Sequence, residues 1–231
     1  MREHLMEHRR AVKVCTWEAP DFCRGCKSGP VLNCRPDKSL LTAFGIVSAS
    51  TVLIQVFGLI IIGLTAEIWW PLTAFTVFLP VFFVFIEGAF LCSHCPFWAE
   101  DSRVLHCLAN TGVPKLFSFK PYPMKRYERT IIRVCFLFFG TFSAGVQSWV
   151  AASKFETLST SFLGILGFFG VLGASLVSMV SFFAVLKTFY CSRCINFSCP
   201  FNRVPKEHAE AYLEKNPLMK RAWKKSGHPS E

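Results

Sequence analysis

The cysteines are the residues of this chain whose spacing points most directly to chemistry. Three sets join a C-x2-C pair to a third cysteine downstream: Cys23/Cys26/Cys34, Cys92/Cys95/Cys107 and Cys191/Cys194/Cys199. Such a pair places two sulfur ligands on one tight turn, and the third cysteine lets the returning chain close the site. The sequence therefore predicts metal binding by these nine cysteines, together with Cys15 upstream of the first set.

A closed zinc site needs four ligands. The amino-terminal set provides four cysteines once Cys15 is included. Each later set has only three, so a histidine or a residue from the other half of the chain must complete it. His94 and His106 are the candidates in the first of these sets, and His208 is the candidate in the second.

Iron–sulfur clusters are the rival to zinc, because they too are held mainly by cysteine. The steps Cys95-Pro96 and Cys199-Pro200 are similar to the Cys-Pro that ends ferredoxin cysteine runs, although the full spacing C-x2-C-x2-C-x3-C is absent. The cofactor prediction is accordingly an iron–sulfur cluster or zinc. Cys135 lies within an apolar run, where a lone cysteine acts as a small buried hydrophobe.

The two later cysteine sets belong to an internal repeat. The first copy reads, in order, Cys92-Ser-His-Cys95, Cys107, Val113-Pro114-Lys115 and Met124-Lys125-Arg126. The second copy reads, in the same order, Cys191-Ser-Arg-Cys194, Cys199, Val204-Pro205-Lys206 and Met219-Lys220-Arg221. Shared landmarks in one order indicate a duplicated module.

The elements that must position these segments are membrane helices. The chain is 52% hydrophobic and only 17% charged, with 25 phenylalanines, which excludes an ordinary soluble domain, a disordered chain and a small secreted disulfide scaffold. Four apolar runs, at residues 40–66, 70–91, 131–152 and 162–190, meet the requirement of roughly 20 residues for a spanning helix. Short connections between them predict an all-α fold with two tandem transmembrane hairpins, each followed by a Cys-rich segment.

The distribution of Lys and Arg predicts the orientation of these hairpins. Nearly all of the 25 basic residues lie in three segments, whereas the opposite connections hold only Lys154. Positive segments stay on the cytoplasmic side, so we expect both termini there. The chain is divided into a Cys-rich leader (1–39), hairpin 1 (40–91), a Cys-rich basic loop (92–130), hairpin 2 (131–190) and a Cys-rich basic tail (191–231).

The expected partners follow from this map. Basic residues beside a membrane favour contact with membrane lipids over nucleic acid, and a membrane or soluble redox protein is the expected protein partner. The leading functional hypothesis is a metal-binding membrane subunit that transfers electrons or docks a partner. The alternatives are a dithiol or quinone-linked oxidoreductase that uses the C-x2-C pairs, and a heavy-metal transporter or sensor.

Overall fold

The computed structural model describes residues 14–17, 26–154 and 162–226, and within them the regular structure is helical. The only β-type pairing in these residues is an isolated antiparallel bridge between Val104 and Pro114. The long helices are α1 (Lys38–Ala66), α2 (Trp70–Pro80), α3 (Arg126–Ser153) and α4 (Phe162–Val185). Two short helices, α5 (Lys206–Glu214) and α6 (Pro217–Lys225), follow in the tail.

Two of the long helices change their winding near their carboxyl ends. Helix α2 passes through Pro80 into a π-helical stretch, Val81–Ile86, and a last α-helical turn, Glu87–Phe90. Helix α4 ends in a π-helical stretch, Leu186–Tyr190. A C-x2-C pair follows each of these stretches, so the same local deviation precedes the two later cysteine sets.

The prediction of four apolar helices is confirmed for the described residues, with spans at Lys38–Ala66, Trp70–His94, Arg126–Ser153 and Gly167–Tyr190. In each span, only 17% to 39% of the most apolar 18-residue segment is buried inside the protein. Most of the apolar surface of the helices is therefore exposed. Helices of this length and apolar character could span a membrane, where lipid would cover them, which is consistent with an integral membrane protein. The third helix starts earlier than the apolar run because the Glu128 carboxylate accepts a hydrogen bond from the Lys125 N–H at 2.7 Å.

Phenylalanines fill the seam between α2 and α3. Phe75 is fully buried and stacks on Phe139 and Phe142, with ring centroids 6.1 and 6.2 Å away. One turn and two turns further on, Phe78 and Phe82 continue the same ridge. Aromatic pairs of this kind stabilise packing beyond the area they bury, which explains the high phenylalanine content.

A polar network ties α1, α3 and α4 together inside the bundle. The Gln55 amide donates to the Ser175 carbonyl at 2.9 Å, and the Gln147 amide donates to the hydroxyls of Ser143 and Ser175 at 3.0 and 2.9 Å. The Ser143 hydroxyl donates in turn to the Gln55 carbonyl at 3.2 Å. These buried polar groups satisfy one another, so they specify how the three helices pack.

The leader, the loop and the tail form one structural unit, which we call the cysteine layer (residues 14–17, 26–37, 92–125 and 191–226). Its buried core draws from all three segments, with Leu32 from the leader, Trp98 from the loop and Tyr212 from the tail. The layer is fastened to the helix ends, since the Asn196 amide donates to the Leu91 carbonyl and the Tyr190 hydroxyl to the Leu40 carbonyl, both at 2.9 Å. The described cysteines of all three sets therefore belong to a single packed unit.

Candidate metal centre

The two later C-x2-C turns have the same backbone hydrogen bond. In the first, the N–H of His94 donates to the carbonyl of Leu91, and in the second the N–H of Arg193 donates to that of Tyr190, each at 3.2 Å. The donor is in both cases two residues after the first cysteine, and the acceptor is one residue before it. The repeat found in the sequence thus extends to local geometry at the cysteines.

A folded-back loop brings the third cysteine of the first copy to its pair. Leu105 and Gly112 join the two arms of this loop, with the N–H of Leu105 donating to the Val113 carbonyl at 2.9 Å and that of Gly112 to the Leu105 carbonyl at 2.8 Å. Gly112 has a φ of 87°, a value that favours glycine. Cys107 lies within the loop, and its side chain packs against the core of the cysteine layer.

An asparagine organises the second copy. The Asn202 amide donates to the carbonyls of Cys194 and Asn196 at 2.7 and 3.0 Å, and the N–H of Cys199 donates to the Asn196 carbonyl at 3.1 Å. These bonds fold the chain between the two cysteines into a tight loop. Cys194 and Cys199 are consequently held near each other without regular secondary structure.

Cysteines of the two copies come together in what we call the shared group: Cys95, Cys107, Cys194 and Cys199. Cys95 is buried and the other three are partly buried, and the described cysteines are free thiols. Burial raises the pKa of Cys95 well above its usual range, and negative charge on Cys107 or Cys199 raises it further. Burial likewise raises the pKa of Cys194. Negative charge on Cys95, Cys199 or Cys107 raises it further, with the effect decreasing in that order. Cys95 and Cys194, one from each copy, thus lie within electrostatic reach of each other and of Cys107 and Cys199.

The first cysteine of each pair lies beside the shared group, at the helix end. Cys92 receives a hydrogen bond at 3.6 Å from the Asn110 amide, which also donates to the Glu87 carboxylate at 3.0 Å. Glu87, five residues before Cys92, is buried, whereas Lys187, four residues before Cys191 in the π-helical end of α4, is exposed. Burial raises the pKa of Cys191 to about 11, partly offset by the positive charge of Arg203.

The leader cysteines surround a cavity. Cys15, Cys26 and Cys34 line a volume of about 260 Å³ together with Tyr212 from α5. Cys15 is held by the tail, because the Asn216 amide donates to its sulfur at 3.2 Å. Cys23, the fourth predicted ligand of this group, lies outside the described residues.

The two candidate histidines of the first copy have other partners. Nδ1 of His94 lies 2.7 Å from the Tyr122 carbonyl, and its Nε2 faces the Glu128 carboxylate at 3.5 Å. Nδ1 of His106 lies 2.6 Å from a Glu100 carboxylate oxygen. Nδ1 of each ring is thus engaged with an oxygen acceptor of the loop, and Nε2 of His94 also faces a carboxylate. His208, the candidate of the second copy, has its Nε2 3.6 Å from the Glu207 carboxylate.

In the described residues, no group of three or more His, Cys, Asp or Glu side chains is arranged as a metal site. The donor chemistry nevertheless fits a thiophilic ion, because each cysteine group combines several thiols from separate chain segments. Cys135 stays apart, partly buried among the phenylalanines near Phe82. The polar residues that position the groups, Asn110 and Asn216 above all, carried no spacing signal that could have identified them.

No family model, curated protein or solved structure matches this chain.

Proposed function

We propose that this chain is an integral membrane protein whose cysteine layer faces the cytoplasm and binds zinc in structural sites. The observation that carries the proposal is the shared group, in which Cys95 and Cys194 each lie within electrostatic reach of cysteines from the other repeat copy. A metal there would join the loop to the tail. The leader cysteines Cys15, Cys26 and Cys34, which we call the leader group, would be completed by Cys23. A metal there would join the leader to the tail in the same way.

The properties of the thiols favour metal binding over thiol–disulfide catalysis. Burial raises the pKa of Cys199 to about 12, and the pKa values of Cys95 and Cys194 are raised too. Catalytic cysteines need a lowered pKa, because the thiolate is the nucleophile. A bound cation instead supplies the charge that makes deprotonation favourable, so zinc can replace the protons of these thiols.

The number of sulfurs is the reason to propose zinc. The shared group offers four cysteines, and the leader group offers four when Cys23 is counted. Structural zinc is held in closed tetrahedral sites, and small units with little secondary structure use it to fix their fold. Four cysteines also suit an iron–sulfur cluster, which would imply electron transfer to a redox partner, and metal analysis separates the two.

The tandem hairpins and the cytoplasmic orientation are part of the same proposal. Three basic segments meet in the cysteine layer, while Lys154 is the only basic residue in the connections at the other end. The exposed lysines of α6, Lys220, Lys224 and Lys225, would contact anionic headgroups. A rigid, zinc-fixed layer at the membrane surface suits a docking subunit for a cytoplasmic protein.

The test is metal content after anaerobic purification in detergent. We expect about two zinc ions per chain and no visible absorption. Cys194→Ala is expected to lose the zinc of the shared group alone, and Cys26→Ala that of the leader group alone. Cys135→Ala, a cysteine outside both groups, is the control and should keep the full content.

Three results would decide against the zinc proposal. Brown protein with iron and acid-labile sulfide would favour the electron-transfer function. Protein without any metal, or a Cys194→Ala variant with its full zinc content and normal melting, would remove the role assigned to the shared group.

A further inference from the structure

An open groove runs between α3 and α4 on the membrane-facing side of the bundle. Its volume is about 620 Å³, within the range of small-molecule binding sites. At the floor of the groove, Gly140 allows α3 and α4 to approach closely, because a Cβ at this position would lie 2.8 Å from the ring of Phe183. Phe201 of the tail also lines the groove, so the groove reaches the cysteine layer.

One charged side chain, that of Arg133, lines this largely apolar groove. Arg133 of α3 is exposed, and within the described residues its guanidinium has no hydrogen bond or ion pair. Thr141 is the other polar residue of the lining, and its hydroxyl already donates to the Leu137 carbonyl at 2.8 Å. An unpaired cation in a membrane span needs an anion or access to the interface.

The length of the groove matches one leaflet. Arg133 and Thr141 are eight positions apart on α3, which corresponds to roughly 12 Å along a helix. One leaflet contributes about 15 Å of hydrocarbon. The groove thus runs from near the interface beside the cysteine layer toward the middle of the membrane.

From this arrangement we infer a binding site for an anionic phospholipid of the leaflet next to the cysteine layer. One acyl chain lies along Leu137, Gly140 and Val180, and the headgroup phosphate pairs with Arg133. Guanidinium and phosphate form strong charge-assisted hydrogen bonds, and the apolar wall suits a hydrocarbon chain.

A second copy of the chain is a poorer occupant of the groove, because its spans offer no accessible negative charge to pair with Arg133. Its four spans contain only two acidic residues, Glu87 and Glu128. Both are buried, with 8% and 2% of their surface exposed, so neither can reach the Arg133 of a neighbour. A phospholipid provides the missing anion at the depth where Arg133 lies.

Native mass spectrometry of the detergent-purified protein tests this site, with added dioleoylphosphatidylglycerol and dioleoylphosphatidylcholine as probes. We expect one retained phosphatidylglycerol and at least about five-fold weaker retention of phosphatidylcholine, the ratio for one basic contact at a membrane surface. Arg133→Gln should abolish this preference. Val180→Trp should reduce retention of both lipids by filling the groove.

Two variants serve as matched controls. Arg126→Gln removes a charge at the start of the same helix, and Leu53→Trp adds bulk at a lipid-facing position of α1 that is 67% exposed. Both should bind like the wild type. Equal retention of the two lipids by the wild type, an unchanged preference in Arg133→Gln, or a dimer that Val180→Trp dissociates would overturn the inference.

Discussion

Asn216 and Cys15, 201 positions apart in the chain, hold each other through two hydrogen bonds. The N–H of Cys15 donates to the Asn216 side-chain carbonyl at 2.8 Å, and the Asn216 amide donates back to the Cys15 sulfur at 3.2 Å. Asn216 is buried, and its amide also donates to the Tyr212 carbonyl at 2.7 Å. The leader is therefore attached to the tail by a side chain that also shapes the connection between α5 and α6.

Asn216→Ala is expected to loosen the leader. The change leaves the N–H of Cys15 without its acceptor, at a cost of about 1–3 kcal/mol in the free energy of unfolding. We expect faster amide exchange at Cys15 and loss of the zinc of the leader group, measured by hydrogen exchange and metal analysis. Asn33→Ala is the control. Asn33 also contacts the tail, but it does so through its backbone N–H, which donates to the Arg193 carbonyl at 2.8 Å and is kept in the variant. Equal behaviour of the two variants would contradict this role of Asn216.

Gly58→Ala is expected to destabilise the helix bundle. A Cβ at Gly58 would lie 2.5 Å from the Gln147 amide nitrogen, which is fixed by its bonds to Ser143 and Ser175. Overpacking of this kind costs about 1–3 kcal/mol, which a lower melting temperature in detergent would reveal. Gly170→Ala is the matched control, since a Cβ there meets nothing within 4 Å. If both variants melted like the wild type, the Gln147 side chain would not be fixed by Ser143 and Ser175.

The membrane helices could be predicted from the sequence because their signal is local. Length and apolar character alone locate all four spans, although the polar start of α3 at Arg126 was missed. The bond between Lys125 and Glu128 that begins this helix has no apolar signature.

The cysteine layer was predictable only in part. Spacing identified the cysteines, but it could not show that leader and tail share a core, because such contacts join residues far apart in sequence. Spacing also made His94 a candidate ligand, whereas its position next to Tyr122 and Glu128 depends on how the loop folds back. Spacing likewise gave no sign that Glu87 would pair with Asn110, which the loop carries to the end of α2.

The stability of the metal-free protein should fall at alkaline pH. Burial raises the pKa of Cys191 to about 11 and that of Cys199 to about 12, from a usual value of 9.0. Below pH 9.0 these thiols are protonated in both the folded and the unfolded chain. Above it the unfolded chain loses protons that the folded chain keeps, so the free energy of unfolding falls by up to about 1.4 kcal/mol per pH unit for each thiol.

The zinc-loaded protein should show the opposite trend at lower pH. Zinc displaces protons from its ligands, so its affinity, and with it the stability, rises as the pH increases from about 5 to 8. Thermal unfolding in detergent, with and without a chelator, measures both trends. Chelated protein that became more stable between pH 9 and 11 would be inconsistent with buried, protonated thiols.

The proposed cytoplasmic orientation of the cysteine layer predicts which surface positions an impermeant reagent can reach. Lys154 lies at the end of α3 opposite to the cysteine layer, and Lys224 lies in α6, and both are exposed. In intact cells, a membrane-impermeant maleimide should label Lys154→Cys, whereas Lys224→Cys should react only after permeabilisation. The wild type, whose cysteines are mostly buried or partly buried, gives the background. Reversed labelling would place the cysteine layer outside the cell.

X-ray absorption at the zinc edge tests the central claim most directly. The Cys26→Ala variant is the sample of choice, because it should retain only the zinc of the shared group formed by Cys95, Cys107, Cys194 and Cys199. We predict a first coordination shell of four sulfurs at about 2.3 Å. A shell with oxygen or nitrogen ligands, or a variant that contains no zinc although the wild type does, would contradict the proposal that the two repeat copies close on one metal.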